Sequence, residues 1–215
     1  MQNIRYGNKL SRNADPTIKA ELLGRILEHF EQAPLSSLRF RKLADSLGVS
    51  TYALVYHFGT RDELLAEIVR AIAERQKRAE DSRPRFEDRI DCHIAALTAS
   101  FAWSLDPENL RLQRLEFEAA MIEALDPDAH TATRSTFAYW LDETETTLID
   151  LGVDPARAAI EARVLNNFFY GFQYDLVVNS DPEAASIAFH TAIPRYAAFL
   201  RRIVAETASA GPTPA

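Results

Sequence analysis

The run LGVSTYALVYHFGTRDELL, residues 47–65, places threonine, tyrosine and histidine along a short stretch whose apolar skeleton is thin. If residues 51–57 are helical, Ala53, Leu54 and Phe58 face inward, and Thr51, Tyr52, Tyr56 and His57 have no core to face. Hydroxyl, phenol and imidazole groups on an open face, with Arg61 close by, are the groups that hydrogen-bond base edges and phosphate oxygens. The bland alternative is a solvated polar face on a small helical unit.

Other chemistry finds little support. The five histidines, His29, His57, His93, His130 and His190, include no pair at i, i+4 that would set two metal ligands on one helix face. Asp91 and His93 are two apart and point to different sides of a helix. There is no glycine-rich phosphate loop and no nucleophile motif, so neither catalysis, a cofactor nor a metal is expected. The single Cys92 cannot form an internal disulfide and reads as a small buried hydrophobe.

The elements that must hold the polar stretch are helical. Seven glycines in 215 residues, few β-branched runs and apolar residues at three-and-four spacing predict helix nearly throughout. Asp15 caps a first helix with Pro16 in its first turn; Ile18, Leu22, Ile26 and Phe30 form its apolar face, and Pro34 marks its end. A short second helix follows Ser36 and Ser37, with Leu38, Leu43, Ala44 and Leu47 inward and Arg39, Arg41 and Lys42 outward. Gly48 closes it as a left-handed cap, and Ser50 caps the third helix. Thr60 and Glu63 form a capping box for a fourth helix that buries Leu64, Leu65, Ile68 and Ile72.

The segment DSRPRFED, residues 81–88, breaks this pattern and predicts a boundary between a unit at 1–80 and one at 81–215. Five further helices are expected, over Phe86 to Leu105, Glu108 to Leu125, Ala129 to Leu151, Pro155 to Val178 and Pro182 to Glu206, about nine in all. Asp-Pro pairs at 106–107, 126–127, 154–155 and 181–182 punctuate them, each setting a capping carboxylate before a proline suited to a first turn. The final ASAGPTPA reads as a frayed tail.

Charge divides at the same boundary. The net −7 separates into +3 over residues 1–80, with 13 Lys and Arg against 10 Asp and Glu, and −10 over the remainder. A mildly basic N-terminal unit on an acidic partner fits contact with a polyanion at one end. No run approaches the ~20 apolar residues of a membrane span, and the N-terminus lacks the apolar core of a signal peptide. A cytoplasmic protein without membrane contact is expected.

Two short helices joined through a glycine turn, the second polar and open, are the pattern of a helix-turn-helix. The run LRFRKLADSLGVSTYALVYHFGTRDELLAEIV resembles the N-terminal DNA-binding segment of the tetracycline-repressor (TetR) family, with its LA..LGVS...LYYHF..K..L pattern. The match extends over about Ile18 to Ile72. Val55 replaces the first tyrosine of LYYHF, removing one phosphate-facing group or moving its role to Tyr56, and Arg61 replaces the usual lysine with its charge kept.

The resemblance implies an all-α fold: an N-terminal three-helix helix-turn-helix DNA-binding domain followed by a helical ligand-binding and dimerisation domain. It implies a ligand-responsive transcription regulator, in the family's usual mode a repressor released by a small-molecule effector. The rival is a helical protein-interaction module without DNA binding. On the DNA-binding reading, Arg39 and Arg41 lie on the outward side of the second helix, with Arg41 reaching a guanine edge or a phosphate. Ser50 opens the next helix, Thr51 and Tyr52 read bases, and Tyr56, His57 and Arg61 hold phosphates, although His57 also reads as a turn residue without DNA contact. Arg5, Lys9 and Arg12 form either a minor-groove arm or a generally attractive tail.

One such unit makes too few contacts for specificity, so a homodimer on a roughly palindromic double-stranded DNA site is expected. Ala158, Ala162, Leu165, Phe169 and Phe172, with Ala185, Phe189, Ile193, Tyr196 and Leu200, form stripes that either pair with symmetry mates or complete the monomer's core. Phe101, Trp103, Phe117, Met121, Phe137, Trp140 and Tyr170 are candidates to line an effector chamber, with His93, Asn166, Asn167 and Gln173 as orienting polar groups. The same aromatic residues suit a solid core equally well.

Overall fold

A computed structural model describes residues 16–81, 86–125 and 132–210. Asp15, the basic residues Arg5, Lys9 and Arg12, residues 82–85 of the expected boundary, the Asp126–Pro127 pair, His130, the expected start of a helix at Ala129 and residues 211–215 lie outside them. The described residues form nine α-helices and one 3-10 turn, and no strand. In order they are α1 (Pro16–Glu31), the 3-10 turn (Leu35–Ser37), α2 (Phe40–Leu47), α3 (Thr51–Phe58), α4 (Arg61–Asp81), α5 (Arg89–Leu105), α6 (Pro107–Leu125), α7 (Ala132–Asp150), α8 (Pro155–Asn179) and α9 (Pro182–Ala210).

Several boundaries follow caps that the sequence carries. The Asp154 carboxylate accepts the Arg157 N–H at 3.2 Å, Asp181 accepts that of Ala184 at 3.0 Å, and Asp106 accepts those of Glu108 and Asn109. Others shift. The helix expected from Phe86 begins at Arg89, because Asp88 stays extended and its carboxylate accepts the Ile90 and Asp91 N–H groups at 2.7 and 3.0 Å. Phe86 lies outside it, its backbone N–H and carbonyl bonded to the half-buried Cys92 thiol. The helix expected after Ser36 divides into the 3-10 turn and α2, with Leu38 buried between them. Ile18, assigned to the apolar face of α1, is 51% exposed; the core cluster takes up that face only from Leu22 on.

The largest apolar cluster joins Leu22, Ile26 and Phe30 of α1, Leu43 of α2, Leu54 and Phe58 of α3, and Leu64, Ile68 and Ile72 of α4. Leu112, Leu115 and Ala119 of α6 complete it, so this core continues past the expected boundary in sequence. Two further clusters follow, one joining α7, α8 and α9 around Leu148, Ala158, Leu200 and Ile203 and one joining α5, α8 and α9 around Phe101, Leu176, Phe189 and Ile193. Leu165, Ala162 and Ala185 are likewise buried within the single chain. Most of the stripe considered for dimerisation is therefore the monomer's own core. The exposed apolar residues of α8 and α9 are Ile160, Val164, Tyr174, Val178 and Ile187. Among the described residues no helix is long and apolar enough to cross a membrane.

Candidate nucleic-acid interface and effector cleft

α2 and α3 owe their placement to a closed set of local bonds. Gly48 adopts φ 65°, which lets its N–H reach the Asp45 carbonyl at 3.3 Å and the Val49 N–H reach that of Ala44 at 3.0 Å, ending α2 within one residue. Ser50 then caps α3, its hydroxyl oxygen accepting the Ala53 N–H at 3.0 Å. At the other end Gly59, at φ 71°, turns the chain into a reciprocal capping box: the Glu63 N–H donates to Thr60 Oγ1 at 3.2 Å, and the Thr60 N–H to Glu63 Oε2 at 2.7 Å. Any Cβ at Gly59 would collide with that Glu63 carboxylate. Arg25 of α1 donates to the Leu47 carbonyl, and Lys19 pairs with Glu67 of α4 at 2.9 Å, tying the motif to its neighbours.

With Leu54 and Phe58 buried, α3 presents Thr51, Tyr52, Val55 and Tyr56 outward. Tyr52 is 67% exposed and its ring stacks on that of Tyr56, centroids 6.1 Å apart at 23°. Burying two phenols would be routine; leaving them stacked in solvent, one turn apart, is not. Arg41 and Lys42 are exposed on α2. Arg39 and Arg61 converge on one atom, both donating to the Leu38 carbonyl, at 2.8 and 3.4 Å, which holds two guanidinium groups at the entry to α2. Arg61 also lies 3.5 Å from Asp62. His57 is half-buried, its ring edge-on to Tyr56, and its Nδ1 is buried with no hydrogen-bond partner among the described residues. Ser50 is engaged as a cap, and only its hydroxyl hydrogen is left for an outside acceptor.

The residues considered for an effector chamber separate into several places. Trp140, Asn166 and Tyr170 line a small cavity of about 70 Å³ together with Gln76, Ser100 and Gln173. Asn166 is bonded there to Thr144 and to the Ala162 carbonyl, at 3.0 and 2.9 Å. Phe117, Phe137 and, again, Tyr170 line a larger cleft of about 480 Å³ between α6, α7 and α8. Tyr170 is thus the wall between the two. Phe101 is stacked on Phe189 at 4.0 Å within the close-packed cluster, and His93 Nε2 lies 3.2 Å from the Tyr196 hydroxyl. Trp103 is half-buried near the α5–α6 turn, where its carbonyl accepts from Asn109 at 3.0 Å. Met121 is 65% exposed, and Asn167 is exposed as well.

The cleft contains polar groups that the sequence reading passed over. Glu116 is buried on α6; the Tyr170 hydroxyl donates to its Oε1 at 3.0 Å and Gln113 Nε2 to its Oε2 at 2.8 Å. Burial pushes the Glu116 carboxyl above the usual carboxylate range, opposed by these two hydrogen bonds. Burial, then the neighbouring Glu116 charge, pushes the Tyr170 phenol up in turn. Glu123, one heptad on and also buried, accepts the Thr133 N–H at 3.1 Å and its hydroxyl, so it sits at the N-terminus of α7. The signal for both was present as polar residues at inward helical spacing on α6, at 113, 116 and 123. A lone helix sequence, however, does not say that a third apolar neighbour covers that side.

Comparison with known proteins agrees with this geometry. Residues 22–68 match the family model described as bacterial regulatory proteins, tetR family. No curated protein sequence matches the chain. Among solved structures, a transcriptional regulator from Rhodococcus sp. Rha1 is 22% identical with a TM-score of 0.69, covering 82% of this chain and 94% of its own. Salmonella enterica GusR is 17% identical with a TM-score of 0.64, over 93% and 98%. A TetR variant from Acinetobacter baumannii AYE, in complex with minocycline, is 20% identical with a TM-score of 0.59, over 89% and 99%. Residues 22–68, which include the helix-turn-helix of α2 and α3, match tetR-family regulatory proteins, and the chain has the all-helical fold of the transcriptional regulators it resembles.

Proposed function

We propose that this protein is a ligand-responsive DNA-binding repressor, working in the cytoplasm as a homodimer on a palindromic operator. The observation that carries the proposal is the stacked, exposed Tyr52–Tyr56 pair on the face of α3 opposite its buried Leu54 and Phe58. With α3 in the major groove, Thr51 and Tyr52 read base edges and Arg41 reaches a guanine or a phosphate. Tyr56, Arg39 and Arg61 hold phosphates, with His57 a half-buried neighbour on the same helix.

Two copies supply two recognition helices about one DNA turn apart, ~34–36 Å. The exposed Val164, which lines a groove of about 500 Å³ between α8 and α9, and the exposed apolar Ile160 and Ile187 on the same two helices support this pair as the dimer contact. For the effector, the cleft walled by Phe117, Phe137 and Tyr170 is the best supported site. A structural neighbour carrying minocycline supports small-molecule control in this fold. The test is selection of bound fragments from the source genome by the purified dimer. Enrichment of one inverted repeat supports the proposal; fragments without a shared sequence contradict it.

A further inference from the structure

The cleft between α6, α7 and α8 contains an electrostatic imbalance. Of its two buried carboxylates, Glu123 is accounted for: the first turn of α7 donates to it through Thr133, where the helix N-terminus carries partial positive charge. Glu116 has no such compensation. It is 6% exposed, its two hydrogen bonds come from neutral groups, and among the described residues no Lys, Arg or His nitrogen pairs with it. Beside it, Gln113 is fully buried, and among the described residues its Oε1 has no hydrogen-bond partner. The Glu116 carboxylate, once ionised, therefore has no paired counter-charge among the described residues of the cleft it lines. Buried charges are ordinarily paired, and buried acceptors are ordinarily satisfied.

The surroundings narrow what is missing. Phe117 and Phe137 flank the cleft with Tyr170, the Phe137 and Tyr170 rings 5.2 Å apart, and Ala120, Ala138 and Leu141 add apolar wall. Arg134 and Arg163 also line the cleft, but both are exposed at its rim, and the Arg163 guanidinium lies over the Phe137 ring at 5.8 Å. Aromatic faces favour a cation, and the cleft volume suits a body of one or two rings. Resting on the effector reading of this cleft, we propose that its ligand is a protonated amine on an aromatic body, the ammonium bonding Glu116 and the rings packing on Phe117 and Phe137. The raised affinity of Glu116 for its proton agrees with this, since burial opposes its charge until a counter-charge arrives. The acidic balance of residues 81–215, net −10, attracts cations to the same end of the molecule.

Three isosteric probes test the proposal by calorimetry on the full chain: 4-phenylbenzylamine, 4-phenylbenzyl alcohol and 4-biphenylcarboxylate. The amine is expected to bind at least about tenfold more tightly than the alcohol, and the carboxylate more weakly than either. Equal affinities, or preference for the carboxylate through Arg134 and Arg163, overturn the amine assignment while the effector cleft stands. No binding by any probe overturns both. Glu116→Gln is expected to erase the amine's advantage and keep alcohol binding; an advantage that survives in a folded E116Q variant overturns the role of Glu116. Because the three-probe comparison uses the unaltered protein, a misfolded variant does not leave the assignment undecided.

Discussion

Arg114, midway along α6, donates from Nη2 to the carbonyl of Phe30 in the last turn of α1, at 2.6 Å. The same guanidinium pairs with Glu118, whose other oxygen accepts the Leu35 N–H at 2.5 Å in the 3-10 turn leading to α2. Arg111 adds an ion pair to Glu31 at 2.8 Å. One face of α6 therefore caps the end of α1 and the entry to the helix-turn-helix, and another presents Glu116 and Phe117 to the cleft. Arg114→Ala leaves the final carbonyls of α1 without their charged donor and Glu118 without its partner. A loss of about 1–3 kcal/mol in unfolding free energy is expected, measured by urea denaturation. An unaltered midpoint contradicts this account of the α1–α6 contact.

Tyr52 and Leu54 are two residues apart on α3 and face opposite ways. Tyr52→Ala should leave stability within about 0.5 kcal/mol while weakening operator binding by about 1–3 kcal/mol. Leu54→Ala should destabilise the fold by about 2–5 kcal/mol, because the side chain is fully buried. Parallel thermal melts and fluorescence anisotropy separate the two. A Tyr52 variant that melts early yet binds DNA normally would reverse the assignment of faces.

Ser50→Ala removes the oxygen that accepts the Ala53 N–H and should cost about 1 kcal/mol. Ser50→Asp supplies a capping oxygen and should restore most of the stability, while adding a negative charge beside the proposed DNA face. Recovered melting with weakened DNA binding is the expected combination. Recovery of both properties argues against α3 approaching phosphates.

Glu116 makes a pH prediction with a definite sign. Its carboxyl binds a proton more tightly folded than unfolded, so its contribution to stability is complete below the ordinary carboxylate range. That contribution is lost as pH rises through the raised folded value. In Glu116→Gln the fall in stability from mildly acidic toward neutral pH should be shallower than in the parent, in denaturant titrations at several pH values. Identical slopes would mean that Glu116 ionises as it does in solvent.

The exposed row on α8 carries the dimer proposal. Val164→Asp should shift sedimentation at micromolar concentration toward monomer with little change in helicity, because Val164 is 58% exposed in the single chain. A parent protein that is already monomeric at that concentration contradicts the dimer.

The N-terminal architecture was legible because each step has a short-range cause. Gly48, Ser50 and the Thr60–Glu63 box fix helix ends within three residues, and each forms the bond its position predicts. Helix starts without a sharp apolar edge were less legible, as at Phe86, where an aspartate two residues on took the cap. Which apolar stripe of α8 faced inward was not legible at all. Leu165 and Val164 are adjacent and similar, and only the placement of the neighbouring helices, among them α5 and α7 with Leu97 and Trp140, buries one and exposes the other. The cleft had the same difficulty: Phe101 and Phe117 look alike in sequence, yet one is stacked in a closed aromatic cluster and the other lines a cleft. Glu116 was missed because a charged residue on a helix reads as surface until its neighbours are placed.

The central claim is that the polar face of α3 lies against a phosphate-lined groove. It is tested most directly by the dependence of duplex affinity on salt, measured by anisotropy on a selected site with effectors removed. The account predicts a linear fall of log K with log salt, at a slope of about −0.9 for each phosphate neutralised, and a smaller slope after Arg61→Ala. A flat dependence, or no duplex binding at low ionic strength, contradicts it.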